Sequence, residues 1–71
     1  MAARKLSAKA QAKINASRFN LIYARSCHGI QISVWDMRKV WDVGMASIAA
    51  GDDDAVLGQK LRTFVDTLRL N

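Results

Sequence analysis

The stretch SVWDMRKVWDVGMASIAAGDDDAVLGQKLRTFVDTLRL, residues 33–70, decides the fold. It holds two helical patterns separated by Gly51. Ser33 stands where an N-cap is needed, and Asp36 follows at the N3 position. This is a weak capping box, since Glu or Gln is the usual partner. Ile32 and Met37 occupy the hydrophobic-staple positions around it. Val34, Met37, Trp41, Met45 and Ile48 then recur at spacings of 3, 4, 4 and 3. That is one face of a helix, widened by Val40 and Gly44. Gly51 suits the left-handed residue that ends a helix. Asp52, Asp53 and Asp54 come next, supplying an N-cap and matching the positive end of a helix dipole. Leu57, Leu61, Phe64, Val65 and Leu68 form the cleanest apolar stripe of the chain, with Arg62 and Arg69 opposite it.

Working back from Ser33, Gly29 is the other punctuation mark. Upstream of it runs a segment from about Ala3 to His28. Leu6, Ile14 and Leu21 cluster on one side of its helical projection. Phe19, Ile22, Tyr23 and Cys27 make a second patch. Residues 16–28 read as a packed helix. Residues 1–15 are either its solvent-exposed extension or a frayed basic arm. Proline is absent, so nothing forces a break inside these segments. The expected fold is therefore all-α, with helices near 5–28, 33–50 and 53–70. Short links favour antiparallel neighbours, in a three-helix bundle or a helical hairpin with a basic N-terminal helix. Its core should come from Phe19, Ile22, Met37, Trp41 and Met45, joined by Ile48, Leu57, Leu61, Phe64 and Leu68.

Residues 29–35, GIQISVW, permit an alternative. Ile30, Ile32 and Val34 alternate with Gln31 and Ser33, which is strand periodicity. A short strand at 30–34, behind a basic segment and ahead of two helices, resembles the ribbon-helix-helix arrangement. That resemblance implies paired strands from two chains in the DNA major groove, with Gln31 and Ser33 facing the bases.

The 71 residues make a single small domain at most. A chain this short is marginally stable unless something helps. Cys27 is the only cysteine and His28 the only histidine, so neither a disulfide nor a structural zinc site is available within the chain. Self-association, as a homo-oligomer, is the remaining expectation. The lone cysteine fits a reducing, cytoplasmic setting. No apolar run reaches the roughly 20 residues of a membrane span, and no signal peptide is expected. The acid-free start does share composition with mitochondrial transit peptides.

Charge is one-sided. Residues 1–35 carry Arg4, Lys5, Lys9, Lys13, Arg18 and Arg25 and no acid; the first carboxylate is Asp36. The remainder is nearly balanced, leaving a net charge of +5. Such a field attracts polyanions. The leading expectation is a non-enzymatic nucleic-acid-binding accessory or regulatory protein whose six basic side chains contact phosphates of DNA or RNA. The alternative is an adaptor, inhibitor or assembly subunit docking on an acidic protein surface. Trp35 would serve it, because it falls off the apolar stripe beside Arg38 and Lys39, and large exposed aromatics mark interfaces. The bland alternative for Trp35 is packing beneath the first segment.

Other candidates are weaker. Cys27 and His28 are adjacent, and neighbouring helical residues point about 100° apart, so they do not form a nucleophile pair. Three consecutive Asp lack the alternating ligands and closing Glu of a calcium loop. A helix-turn-helix centred on Gly44 or Gly51 would put Lys39 and Asp53, or Asp52, where that motif needs packing. No Gly-rich phosphate loop, serine triad or paired Glu acids occurs, so no enzyme, cofactor or metal is expected.

Overall fold

The computed structural model describes residues 7–69. They form three α-helices: α1 (Ala8–Ser26), α2 (Val34–Ala49) and α3 (Asp54–Arg69). All three pack on one another into a compact three-helix bundle, with α2 against α3 as the most extensive contact. Among the described residues no helix is long and apolar enough to cross a membrane.

Each helix begins on a side-chain cap. The Ser7 hydroxyl accepts from the Ala10 amide and the Ser33 hydroxyl from the Asp36 amide, both at 3.1 Å. Asp53 caps α3, its Oδ1 accepting from the Val56 amide at 2.9 Å. Each satisfies an orphan donor of a first turn. The ends of α1 and α2 are followed by glycines in the left-handed region, Gly29 (φ 77°) and Gly51 (φ 83°). At Gly51 the amides of Gly51 and Asp52 return to the carbonyls of Ile48 and Ser47, at 3.0 and 3.1 Å. This paired closure ends α2 and turns the chain into α3.

The ribbon-helix-helix alternative does not survive: the described residues contain no strand, and 30–33 are a linker. The alternation that resembled a strand has another use. Ile30 and Ile32 tuck against the helical core while Gln31 faces solvent.

The core is Phe19, Ile22, Cys27, Val40, Leu57, Leu61 and Val65, each 5 % exposed or less. Met37, Met45, Ile48, Phe64 and Leu68 are half-buried around it. Trp41, expected inside, keeps 36 % of its surface in solvent. The line of α2 that faces its neighbours most closely is Val40, Gly44 and Ser47, not the stripe of large side chains. The two lie roughly 90° apart around the helix. Gly44 explains the rotation. The Phe19 ring of α1 sits directly against it, so that a Cβ at position 44 would overlap Phe19 Cδ2 and come within 2.5 Å of Cε2. Phe19 is held there by Trp41, edge-on at 4.8 Å between ring centroids, and by Tyr23, stacked at 5.8 Å. The bulky groups of α2 therefore wrap its flank while its smallest residue makes the closest approach.

Gly44→Ala should destabilise the fold by about 1–2 kcal/mol, because overpacking against a trapped ring outweighs a gain in helix propensity of about 1 kcal/mol. Gly58→Ala meets chiefly the Ser26 hydroxyl, which can rotate away. It should be neutral within about 0.5 kcal/mol. Urea denaturation of both variants checks the difference.

Candidate binding surfaces

The six basic side chains expected to act together are divided by the structure. Arg4 and Lys5 lie outside the described residues. Lys9 and Lys13 are exposed and four residues apart, so they share one side of α1. Arg25 is exposed too, but roughly 120–160° around the helix from that pair.

Arg18 is committed elsewhere. Its Nε donates to Asp54 Oδ1 at 2.6 Å, and its Nη2 donates to the Asp52 carbonyl. Arg18 thus ties the middle of α1 to the start of α3 across 36 residues of sequence. The three acids that begin α3 have three separate partners. Asp52 accepts from the Ser47 hydroxyl at 2.7 Å and from the Lys60 ammonium. Asp53 is the cap, and Asp54 takes Arg18. With all three occupied in this way they are structural, and no group of three or more metal-ligating side chains gathers among the described residues.

A second long-range tie closes the other end of α1. Arg62 Nη1 donates to the Ser26 carbonyl at 3.1 Å, while its Nε bonds Asp66 on the next turn of α3. Sequence pattern placed Arg62 on an outer face; its length lets it reach back and satisfy an orphan carbonyl of α1. Beneath it lies Cys27, 2 % exposed. Burial pushes the Cys27 thiol up, the nearby Arg62 partly offsets this, and Asp66 adds to the rise. A raised, buried thiol is the opposite of an activated nucleophile. His28, its neighbour, is exposed.

Trp35 is not packed beneath α1. It is 80 % exposed in the first turn of α2, and Val34 beside it is 84 % exposed. Arg38 and Lys39, one turn on, are exposed as well. This places an indole and two cations on one outward patch, clear of the core line of α2. Further along, Val43 joins Val56, Phe64, Lys60, Thr63 and Thr67 around an open groove of about 520 Å³ between α2 and α3. A second groove, about 310 Å³, lies between α1 and α3 at Ile22, Arg25 and Gly58.

Two outcomes follow from the ties around Asp52. The Lys60 and Ser47 hydrogen bonds hold the Asp52 carboxyl below its ordinary 3.8. A lowered folded-state value stabilises the fold above the unfolded value and is lost as pH falls through the folded one. The thermal midpoint of the natural chain should therefore drop more between about pH 5 and about pH 3 than that of Asp52→Asn. Arg18→Ala should cost about 1 kcal/mol, a midpoint shift of roughly 5 °C. Lys9→Ala and Lys13→Ala should not lower the midpoint, which separates structural from free cations on α1.

Compared with known protein families, curated proteins and solved structures, the chain matches none, so the surfaces above carry the functional reading by their own chemistry.

Proposed function

We propose that this chain is a non-enzymatic binding module that docks on an acidic protein surface, using Trp35, Arg38 and Lys39 together with the basic helix α1. The observation that carries this reading is the 80 % exposure of Trp35, with Val34 equally bare at its side. An indole in water forfeits the burial that would stabilise it by about 2–3 kcal/mol. Docking on a partner recovers that burial, and aromatic anchors beside cations are typical of energetically dominant interface positions. Self-association, if the module uses it, belongs to the α2–α3 side, where Val43, Val56 and Phe64 line an open groove.

Nucleic acid is the second reading. It is favoured by Lys9 and Lys13, exposed on one side of a segment with no acid before Asp36. Its contacts would be to phosphates, positioning the protein without reading sequence. Two such contacts, from Lys9 and Lys13, would weaken binding about 12-fold between 50 and 200 mM salt, since Arg25 points away from them. Adding Arg4 and Lys5 would make the loss about 150-fold.

Affinity capture after nuclease treatment separates the two. On the docking reading, a nuclease-resistant partner is retained by the natural chain and lost with Trp35→Ala. A partner removed by nuclease and indifferent to Trp35→Ala would instead support the phosphate reading. Titration of a fluorescent duplex and a single strand at both salt concentrations then counts the contacts.

A further inference from the structure

The two apolar patches of α1 lie on opposite sides of the helix. Phe19, Ile22 and Tyr23 face the bundle. Ala10, Ile14, Ser17, Leu21 and Ala24 run along the other side at spacings of 4, 3, 4 and 3. That is the seam spacing of a two-stranded coiled coil. Ile14 and Leu21 are 48 % and 53 % exposed, so the two large members of the seam have no partner in the bundle. The positions flanking such a seam set partner choice. Here they are Lys13 and Asn20 on one side, and Gln11, Arg18 and Arg25 on the other. None of these positions is an acid, and with Arg18 already paired to Asp54 the flanks present Lys13 on one side and Arg25 on the other, neither in an ion pair among the described residues.

A second copy of the chain is a poor occupant. Its own flanks hold no acid, so in either orientation it offers Lys13 and Arg25 no opposite charge. We infer that the outward face of α1 is a docking seam for an amphipathic helix of a different protein, one with an apolar stripe bordered by Asp or Glu. This rests on the docking reading above and assigns it a second surface, distinct from Trp35. Large seam residues alternate with small ones, so the partner's bulky side chains would lie over Ala10, Ser17 and Ala24.

The test uses the full chain and two synthetic helical peptides of three heptads, each with Leu and Ala at the seam positions. One carries Glu at both flanks, the other Lys. The Glu peptide should bind and the Lys peptide should not. Ile14→Ser with Leu21→Ser should weaken the Glu peptide at least about tenfold. Both positions face solvent, so thermal melting of the double variant should match the natural chain. Lys13→Glu with Arg25→Glu should transfer preference to the Lys peptide, while Trp35→Ala should change affinity less than about twofold. The inference is overturned by equal binding of both peptides, by no binding of the Glu peptide, or by a double variant that binds as well as the natural chain. Sedimentation showing a dimer that the double variant dissolves overturns it too, since a second copy would then cover the seam. Loss of the Glu peptide with Trp35→Ala alone removes the seam but leaves docking in place at α2. The capture experiment with Trp35→Ala judges the docking reading separately.

Discussion

A missing side chain organises this molecule. Because position 44 carries only hydrogen, the Phe19 ring reaches the backbone of α2, close also to where Leu61 of α3 packs. One contact therefore fixes the separation of all three helices. It also decides which way α2 is rolled. The small-residue line Val40, Gly44 and Ser47 turns inward, and Trp41 is displaced to the flank, where it closes over the edge of Phe19. A glycine in mid-helix costs about 1 kcal/mol relative to Ala, so its retention here is explained by the close packing it permits.

Around that contact the polar residues act as fasteners rather than as chemistry. The hairpin turn is tied twice between the same two residues: the Asp52 amide returns to the Ser47 carbonyl, and the Ser47 hydroxyl returns to the Asp52 carboxylate. Arg18 and Arg62 pin the middle and the end of α1 to α3. Among the described residues every buried side-chain nitrogen and oxygen has a partner. This matters in a small chain, where a single buried orphan would cost about 1–3 kcal/mol of a slender margin. What remains uncommitted is found outside, on the outer side of α1 and at the start of α2.

Local signals carried the secondary structure. Ser33, Gly29, Gly51 and the acids before α3 each act through neighbours within a few residues, so the end of α1 and the bounds of α2 and α3 were readable from spacing alone. The Ser7 cap that starts α1 was not, because the Ala/Lys-rich stretch around it has few large apolar groups. The roll of α2 was less readable, since large apolar groups dominate a helical projection whereas closest approach follows the smallest residue. Gly44 was the available signal, being a costly residue in mid-helix without a turn to justify it. The role of Arg18 was not readable. In sequence it is one of six cations on an acid-free segment, and its partners lie more than thirty residues away. Trp35 was half legible: it leaves the apolar face of its own helix, but a middle helix can touch two neighbours, so packing beneath α1 stood as an equal expectation until the fold placed it 80 % exposed. The two-sided character of α1 was also visible in the projection, though only packing shows which side is covered.

The start of α1 has a consequence for energetics. Ser7 caps it, but its first turn contains no acid, and Lys9 sits at the positive end of the dipole. A carboxylate there is worth about 0.3–1 kcal/mol. The first two turns also lack the bundle contacts that Phe19 and Ile22 give the second half. Helical order is therefore graded along α1, weakest where the cations are densest. An anionic surface laid against that end would supply the absent negative charge and tighten the helix in one step. Part of the free energy of association would appear as conformational ordering, raising helical content and slowing amide exchange in residues 8–14 while the bundle itself stays as it is.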